Sequence, residues 1–258
     1  MSNFENLRIE QDDRGVAFLT LCRAEKHNAF NAALIGELRQ AADRLASDAS
    51  VRVVVLAGEG KSFCAGGDLA WMQEQAAKDR AGKIAETSEL AYMLRDLDEL
   101  PKPLIGRVHG PAYGGGVGMM AICDIVIAAE TARFALTETK LGLIPATIGP
   151  YVVRRLGEGA ARRVFMNARP FDAGEAKQLG LVSTITPAEE IDEAVERECN
   201  WFLKCAPGAV ADAKDLCLHL ARNPQQDHVA YSAGKLADRW ETDEAKEGIG
   251  NFFSAKRA

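Results

Sequence analysis

Short apolar runs rich in β-branched residues alternate with helical patterns along the first 150 residues, and this alternation restricts the chain to few folds. Runs that are apolar at nearly every position are typical of strands buried on both faces of a sheet. The predicted strands cover residues 7–10, 16–21, 51–56, 103–108 and 124–129, and the predicted helices cover residues 31–46, 70–100 and 117–123. Asp12-Asp13-Arg14-Gly15 predicts a hairpin turn between the first two strands. Repeated strand–helix–strand order predicts a layered α/β core.

The pattern changes near residue 156. From there to the end the sequence is mostly helical, with helices predicted within residues 188–205 and 208–220 and one short strand within residues 181–185. Pro187, Pro207 and Pro224 mark boundaries between these segments. We expect this part to be a helical extension packed on the α/β core.

The charge and composition disfavour several classes of protein. Among 258 residues, 31 Lys and Arg stand against 37 Asp and Glu, a formal net charge of −6, whereas binding to nucleic-acid phosphates needs a basic face. No apolar run approaches the roughly 20 residues that cross a bilayer. The N-terminal residues lack the basic and apolar regions of a signal peptide. We therefore expect a cytoplasmic protein with no nucleic-acid or membrane partner.

Six cysteines occur without any C-x-x-C pair, and most lie in apolar surroundings: Cys22, Cys64, Cys123, Cys199, Cys205 and Cys217. Isolated cysteines usually behave as small hydrophobic residues, so we expect buried, reduced thiols. Cys64 lies beside a glycine-rich motif, which leaves open a minor chemical role for it.

Familiar cofactor and metal motifs do not fit the sequence. Gly60-Lys61-Ser62 resembles the end of a phosphate-binding loop, but Val55 occupies the position of the first glycine. In the segment at residues 114–118, Met119 stands where the last glycine of a dinucleotide motif belongs. There is no G-x-S-x-G or H-E-x-x-H motif, and the four histidines show no ligand spacing. We expect no metal and no separate cofactor.

Two glycine-rich segments, residues 62–69 and 109–118, each follow a predicted strand. Glycine lets the backbone approach a ligand closely, and a helix start presents unpaired N–H groups. One N–H group from each segment could therefore polarise a carbonyl and stabilise an oxyanion or enolate. The alternative is that both segments are tight turns without a ligand.

Glu138 lies among mainly apolar neighbours in residues 134–145. Partial burial would raise the pKa of its carboxyl group and make it a usable proton acceptor or donor. The alternative is a surface acid that pairs with Lys140 or Arg133.

Taken together, these segments resemble the crotonase (enoyl-CoA hydratase/isomerase) family along essentially the whole chain. The motifs that carry the resemblance are Arg23-x-x-x-His27-Asn28-Ala29-Phe30-Asn31, Ala65-Gly66-Gly67-Asp68, Gly114-Gly115-Gly116, Glu138-x-x-Leu141-Gly142-x-x-Pro145 and Arg169-Pro170-Phe171-Asp172-Ala173. Residues 69–72 and 143–150 look most similar to the methylglutaconyl-CoA hydratase branch. The resemblance implies a crotonase-like α/β fold with repeated β-β-α units and a C-terminal helical region.

The resemblance also implies an acyl-CoA substrate whose thioester oxygen is held by the N–H groups of Gly67 and Gly115, with Glu138 moving the proton. The residues implied to bind the remainder of the substrate are Lys26, Ala29, Ala65, Gly66, Asp68, Leu69, Tyr113 and Gly114. The helix from residue 117 and the strand at 124–129 would complete the pocket wall. CoA is part of the substrate, so no cofactor is implied.

For the assembly, the resemblance implies an α/β core over residues 1–195 and a helical trimerisation region over residues 196–258. The expected state is a trimer or a dimer of trimers. The segment at residues 252–256 resembles a tail that touches the CoA of a neighbouring subunit.

Two positions depart from the family pattern. Many family hydratases carry a second glutamate where this chain has Gly118, and a proline where it has Ala24. We favour hydration of a short or branched 2-enoyl-CoA with Glu138 acting alone, because one carboxylate can take a proton from water and deliver it to C2. The alternatives are double-bond isomerisation by the same single base, another acyl-CoA lyase reaction, and a non-catalytic protein that binds CoA or RNA.

Two further features bear on these alternatives. Arg154, Arg155, Arg162 and Arg163 form a local basic cluster, which is more typical of a solvated helix face or subunit contact than of an RNA site. For the acyl pocket, helical position suggests Trp71, Tyr92, Met93 and Leu94 as candidates, with core packing as the expected role for most of them. The sequence alone identifies no basic or amide side chain that could hold a carboxylated substrate.

Overall fold

The computed structural model describes residues 4–255, within which nine strands form two sheets. The strands are β1 (Leu7–Gln11), β2 (Val16–Leu21), β3 (Val53–Gly58), β4 (Leu104–Val108), β5 (Ala112–Tyr113), β6 (Ile125–Ala129), β7 (Arg133–Ala135), β8 (Phe171–Asp172) and β9 (Thr184–Thr186). The larger sheet has the order β1-β2-β3-β4-β6-β9, and the smaller one has the order β5-β7-β8. In the larger sheet β1 is antiparallel to β2 and every other pair is parallel.

Eleven α-helices lie within the described residues. They are α1 (Ala32–Ser47), α2 (Leu69–Ala77), α3 (Arg80–Asp98), α4 (Gly115–Ala121), α5 (Gly149–Leu156), α6 (Glu158–Phe165), α7 (Ala173–Gln178), α8 (Ile191–Leu203), α9 (Pro207–Arg222), α10 (Val229–Trp240) and α11 (Asp243–Ala255). None of them is both long and apolar enough to cross a membrane. The mixed α/β fold with a helical C-terminal region confirms the fold class predicted from the sequence.

Alternate residues of β3 face two different helical layers, as the two-residue period of a strand requires. Val54 and Leu56 belong to the cluster that contains the buried faces of α1, α3 and α4. Val53 and Val55 belong to the cluster with Ile191 of α8. Burial on both faces explains why this strand is apolar at nearly every position.

The parallel pairing of β3 and β4 brings the two glycine-rich segments to one edge of the sheet. Val54 pairs with Leu104, and the strands run in the same direction from there. The loops after Gly58 and Val108 therefore leave the sheet side by side. Ligands in parallel α/β sheets commonly bind at this edge, outside the carboxyl ends of the strands.

Some predicted boundaries are wrong. The single helix expected over residues 70–100 is two helices, because Lys78 is extended and Asp79 caps α3 by accepting a hydrogen bond from Gly82 N at 2.8 Å. Helix α4 begins at Gly115 rather than at residue 117. The sequence analysis also missed the small sheet, whose strands are only two or three residues long.

The predicted division at residue 195 falls inside α8 and stays a prediction. Residues of α8 on both sides of it, including Ala194 and Cys199, pack on the larger sheet. By contrast, no residue of α9 or α10 is buried.

Candidate active site

The two glycine-rich loops contact each other directly. Cys64 forms a parallel bridge with Ala112, and Tyr113 N donates to the Cys64 carbonyl at 3.0 Å. A Cβ on Gly66 would lie 2.8 Å from the Tyr113 carbonyl oxygen and 3.3 Å from Gly115 N. Only glycine at residue 66 therefore lets the two loops approach this closely.

The amides of Gly67 and Gly115 have equivalent positions in their loops. Each follows a glycine with positive φ, +86° at Gly66 and +48° at Gly114, a conformation that side chains disfavour. Neither N–H donates a hydrogen bond to any described residue. Gly115 is the first residue of α4, where helix N–H groups have no partner within the helix.

Phe30 holds both donor loops in place. Its N–H donates to the Gly66 carbonyl at 2.6 Å, and its carbonyl accepts from Asp68 N at 2.8 Å. This pattern makes a parallel bridge with Gly67, in which the N–H of Gly67 points away from Phe30. The buried ring of Phe30 also packs against Gly115, where a Cβ would lie only 2.7 Å from it.

Glu138 begins a short 3₁₀ turn, Glu138–Leu141, after strand β7. A Cβ on Gly114 would lie 3.0 Å from its Oε1, so the carboxyl group lies beside the second glycine loop. Its Oε2 is buried without a hydrogen-bond partner in the described residues. Burial raises the pKa of this carboxyl group, and a hydrogen bond with its own backbone opposes the rise only in part.

The alternative of a surface ion pair for Glu138 is wrong in the described structure. Arg133 donates to the carbonyls of Glu130 and Ala132 instead, and Lys140 forms no ion pair with a described residue. The half-buried acid is therefore left without a counter-charge, which is the condition in which a carboxyl group retains its proton to higher pH.

One cavity of about 350 Å³ brings Gly67, Gly115 and Glu138 together. The remainder of its wall comes from Phe30, from one face each of α2 and α3 (Trp71, Met72, Gln75, Ala76, Lys83, Thr87 and Leu90) and from the segment before α5 (Leu143, Ile144, Pro145, Thr147 and Ile148). Glu138 is the one carboxylate among these lining residues. The wall is mainly apolar, with the two free amides and the acid at one side.

The walls differ from the expectation in two respects. The strand at residues 124–129 and the predicted helix from residue 117 are not among the lining segments, and the loop at residues 143–148 takes their place. Of the candidate acyl-pocket residues, Trp71 lines the cavity. Met93 and Leu94 are buried in the core, and Tyr92 lies under the guanidinium groups of Arg39 and Arg95.

Gly118 has no room for the second glutamate of the family pattern. A Cβ there would lie 2.2 Å from Ile148 Cγ2 and 2.8 Å from Ile148 Cβ. Ile148 is itself buried and lines the cavity. The isoleucine therefore occupies the space beside residue 118 and turns that side of the cavity apolar.

The remaining predicted site residues lie around the cavity without lining it. Lys26 is exposed and forms no ion pair with a described residue, Ala29 is buried, and Leu69 is 77% exposed. The two glycine-rich loops described above contain the other four predicted residues, Ala65, Gly66, Tyr113 and Gly114.

Arg23 and Asp68 join the two segments predicted to bind CoA. Arg23 donates to Asp68 at 3.1 Å and also to the Ala29 carbonyl, and both charged side chains are about nine-tenths buried. Asp68 caps α2 by accepting from Ala70 N at 2.9 Å. Burial alone would raise the pKa of Asp68, but the hydrogen bonds from Ala70 and Arg23 outweigh it and hold the pKa below its usual range.

Asn28 stabilises the loop that lacks the family proline at Ala24. It is fully buried, and its side-chain amide donates to three carbonyls, those of Glu59, Ser62 and Phe63. Its Oδ1 accepts from Arg23 N at 3.0 Å. These bonds hold Asn28 at a positive φ of 56°, so the loop is fixed by a buried amide.

Five of the six cysteines are either buried or exposed, and Cys22 is half-buried. Cys64, Cys123 and Cys199 are buried as predicted, and burial raises the pKa of the Cys64 thiol to about 12, which keeps it a neutral thiol. The prediction is wrong for Cys205 and Cys217, which are exposed. No group of three metal-ligating side chains occurs within residues 4–255.

The predicted basic cluster is not one free basic face. Its guanidinium groups are turned to different partners, which are Asp98 for Arg154, the Cys123 and Gly180 carbonyls for Arg155, Glu158 for Arg162 and Glu175 for Arg163. Each charge is therefore paired or held against backbone oxygens.

Gln75, Lys83 and Thr87 line the cavity and were missed in the sequence. Gln75 lies on α2, and Lys83 and Thr87 lie one helical turn apart on α3. The available signal was the i, i+4 spacing of Lys83 and Thr87, but it points to a cavity only once the break before α3 is known.

The chain is similar to known proteins along nearly its whole length. The family model described as enoyl-CoA hydratase/isomerase matches residues 11–258. A Thermus thermophilus protein described as "Putative enoyl-CoA hydratase" is 34% identical over 97% of this chain and 98% of its own length. The crystal structure of an enoyl-CoA hydratase from Shewanella pealeana superposes with a TM-score of 0.94 at 36% identity, covering 98% of this chain and 95% of the other. An enoyl-CoA hydratase from Mycobacterium smegmatis gives 0.90 at 33% identity, covering 97% and 96%.

Proposed function

This chain belongs to the enoyl-CoA hydratase/isomerase family, and on that premise we propose that it adds water across the 2,3 double bond of a short or branched 2-enoyl-CoA. The observation that carries the proposal is the cavity shared by two unpaired backbone N–H groups, at Gly67 and Gly115, and one half-buried carboxylic acid, Glu138.

The two amides are suited to a thioester oxygen. Two N–H donors with no other partner can bind the carbonyl oxygen and stabilise the negative charge that it gains as an enolate forms. Withdrawal of electrons toward that oxygen makes C3 electrophilic and C2 basic. Loss of one such donor typically costs about 3 kcal/mol of transition-state stabilisation.

Glu138 supplies the proton transfer in this mechanism. Its carboxylate takes a proton from water as the hydroxyl oxygen bonds to C3 and the double-bond electrons move onto the thioester as an enolate. The same proton then passes from Glu138 to C2, and the carboxylate is regenerated. One water is consumed, and no second acid or base is needed.

Double-bond isomerisation is the second candidate function. It is favoured by the lack of space for a second glutamate at residue 118. Because Ile148 fills that space, Glu138 is the one carboxylate in the cavity wall. An isomerase needs a single group that removes a proton from C2 of a 3-enoyl-CoA and returns it to C4. The non-catalytic alternative is less well supported, since its RNA form relied on an arginine cluster that is already paired.

Absorbance of the conjugated thioester tests both reactions. We expect crotonyl-CoA to lose this absorbance with the wild-type protein, and Glu138→Gln to slow the loss by about 10²- to 10⁴-fold, because general acid–base catalysis contributes that much. Glu189→Gln is the matched control, as Glu189 is exposed and outside the cavity. Full activity of Glu138→Gln would show that the base is assigned wrongly.

Isomerisation would change the absorbance of the conjugated thioester in the opposite direction. A 3-enoyl-CoA should gain conjugated absorbance, with solvent deuterium entering the product. If this gain occurs and crotonyl-CoA is left unchanged, isomerisation replaces hydration as the function.

Substrate placement and assembly extend the proposal. We infer that the CoA group lies along the segments around Lys26 and Ala29 and residues 65–69, where Lys26 is free to meet a phosphate. We also propose a trimer or dimer of trimers held by the C-terminal helices, whose apolar residues are exposed in the single chain. In the tail predicted at residues 252–256, Phe252 and Phe253 are exposed on α11, and Lys256 lies outside the described residues.

A further inference from the structure

Helix α2 forms one wall of the cavity, although none of its residues is buried. It supplies four of the residues that line the cavity, which are Trp71, Met72, Gln75 and Ala76. We propose that α2 is a hinged lid, which opens to admit an acyl-CoA and is held closed by the ion pair between Lys78 and Glu86. The proposed function enters this inference only through the kind of ligand that the cavity admits.

The beginning of α2 is fixed to the two glycine-rich loops. The N–H of Asp68 donates to the Phe30 carbonyl at 2.8 Å, and the Asp68 carboxylate is paired with Arg23. Gly66, which precedes these contacts, has a φ of +86° and lies against the second glycine-rich loop. Because this end is anchored beside the oxygen-binding amides, a movement of α2 would displace its far end most.

The far end of α2 is held by one ion pair. The helix ends at Ala77, and Lys78 after it is extended, with φ −71° and ψ 155°. The ammonium group of Lys78 pairs with Glu86 on α3, and this is the one side-chain hydrogen bond that residues 73–78 form within the described part of the chain. Both side chains of the pair are about one-third exposed. Such a pair contributes little to stability, so it can break without unfolding the helix.

The closed position leaves polar atoms of α2 without partners. Both atoms of the Gln75 amide group and Nε1 of Trp71 are buried and form no hydrogen bond with a described residue. The indole N–H of Trp71 approaches Glu86 without completing a hydrogen bond. The pKa of Glu86 is lowered mainly by the hydrogen bond from Lys78, against the opposing effect of burial, and the nearby indole lowers it further.

These unpartnered atoms favour an open position. Burial of a polar atom without a hydrogen bond is unfavourable, and an outward movement of α2 would expose the atoms to water. In the closed position, the ring of Trp71 lies 3.7 Å from where a Cβ on Gly67 would be. Closure therefore covers the amide that would bind the thioester oxygen and excludes bulk water from it, which is the usual role of a lid.

Quenching of tryptophan fluorescence can measure how often α2 opens. The chain has three tryptophans, and Trp201 and Trp240 are 64% and 60% exposed. Replacing these two by phenylalanine leaves Trp71 as the sole tryptophan, so quenching by acrylamide reports access to the inner face of α2. We use this double variant as the parent protein of the test.

Two substitutions should change the quenching in opposite directions. Lys78→Met should raise the quenching constant about two- to fivefold, because loss of a partly exposed ion pair shifts an equilibrium by about that factor. Gln75→Leu should lower the constant, because the unpartnered amide no longer disfavours the closed position. A damaged or unfolded α2 would raise the quenching in both variants, so the opposite signs separate a lid from a loss of structure.

A matched variant and the salt concentration serve as controls. Glu74 is an exposed acid of the same helix that forms no ion pair with a described residue, so Glu74→Gln should leave the quenching unchanged. Added salt should raise the quenching constant of the parent protein but not that of Lys78→Met, because salt screens the ion pair.

Stopped-flow binding of butyryl-CoA tests whether the opening admits the ligand. This thioester has no double bond to hydrate, so it binds without turnover. We expect Lys78→Met to increase its association rate constant and Gln75→Leu to decrease it, each by the factor by which the quenching changes. Glu74→Gln should leave the rate constant unchanged.

Three results would overturn the lid. These are quenching that does not change in the two variants, quenching that changes in the same direction in both, and association rates that do not follow the quenching. Failure of butyryl-CoA to bind at all would instead reject the proposed acyl-CoA substrate. The quenching of the ligand-free protein would then still decide whether α2 opens.

Discussion

Glu138 combines two consequences of burial, a raised pKa and a cost to stability. Its folded-state pKa lies above the ordinary 4.5 because burial disfavours the charged form. When folding raises the pKa of a carboxyl group, the free energy of unfolding is unaffected below the pKa of the unfolded state. It decreases as the pH rises through the pKa of the folded state. The proposed chemistry needs Glu138 as an ionised base, and this ionisation therefore lowers the free energy of unfolding.

This linkage predicts that Glu138→Gln becomes more stable relative to the wild type as the pH rises. At pH 4, below the ordinary pKa of 4.5, most Glu138 side chains are protonated and neutral as glutamine is, so the melting temperatures of the two proteins should differ least there. At pH 8 the variant should melt at the higher temperature, while the loss of crotonyl-CoA absorbance proposed for the wild type should be slowed. Thermal unfolding across this range measures the effect, and Glu189→Gln should show no comparable trend. A difference between variant and wild type that does not change with pH would contradict the assignment of burial as the cause.

Gly118 gives a second prediction at this scale, because two effects on stability oppose each other. Glycine to alanine in a helix interior ordinarily stabilises by about 0.5–1 kcal/mol. At Gly118 the new Cβ would meet Ile148 at 2.2 Å, and overpacking costs about 1–3 kcal/mol. We expect Gly118→Ala to lower the free energy of unfolding in urea.

Two variants check that packing is the reason. Gly36→Ala in α1 should be stabilising, since nothing lies within 4 Å of a Cβ there. In the double variant Gly118→Ala/Ile148→Ala the alanine at residue 118 should cost less than it does alone, which a double-mutant cycle measures. Stabilisation by Gly118→Ala alone would mean that the cavity side of α4 has room for a side chain.

The sequence could predict the reacting groups better than the specificity of the site. The two glycine-rich segments indicated one N–H donor in each loop, the family resemblance implied that these are Gly67 and Gly115, and an acid among apolar neighbours made Glu138 a candidate, since all three signals are local. Which side chains contact one another in the apolar wall of the cavity is determined by tertiary packing. That Ile148 meets Gly118, or that Gln75 lies buried without a partner, follows from helix placement that no local pattern contains.

At the scale of elements, Asp68 serves α2 and the neighbouring loop at once. It caps the helix through Ala70 N and pairs with Arg23. Asparagine is as good a cap as aspartate, whereas alanine is not. The two roles can therefore be separated by substitution.

We predict the stability order wild type, Asp68→Asn, Asp68→Ala. Breaking a buried ion pair typically costs on the order of 3 kcal/mol, and losing the cap about 1 kcal/mol more. Because the pKa of Asp68 is held low, the loss on Asp68→Asn should shrink as the pH falls below 3.8 and through the folded pKa. Asp79→Asn is the control, since Asp79 caps α3 without an ion pair among the described residues. Equal stability of wild type and Asp68→Asn at neutral pH would show that the pair contributes nothing.

The break between α2 and α3 shows why element boundaries were harder to predict than the elements themselves. Residues 70–100 keep helical apolar spacing on both sides of the break, and Lys78 is not a helix-breaking residue. The signal was Asp79, whose side chain caps the following helix. An aspartate within a charged helical run is common, so the cap is identified only when its hydrogen bond to Gly82 is seen.

For the whole molecule, alternation of strands and helices was sufficient to predict the layered core, because β3, β4 and β6 are buried on both faces. The C-terminal helices follow a different rule. The helical period of residues 208–220 is clear in the sequence, yet α9, which contains them, buries no residue in the single chain, and neither does α10. An amphipathic pattern predicts that an apolar face is covered, but it does not say by which chain.

Helix α10 carries the last prediction. Val229, Leu236 and Trp240 are 75%, 61% and 60% exposed and follow one another at spacings of seven and four residues, which places them on one face of the helix. A contiguous exposed apolar stripe of this kind marks an interaction surface. We expect the wild-type protein to sediment at three or six times the mass of one chain, and Leu236→Glu to shift it toward the monomer. Asp238→Lys, an exposed charge change on the same helix, should leave the mass unchanged. A wild-type protein that sediments as a monomer at micromolar concentration would remove the assembly proposed for this region while leaving the active site of the single chain intact.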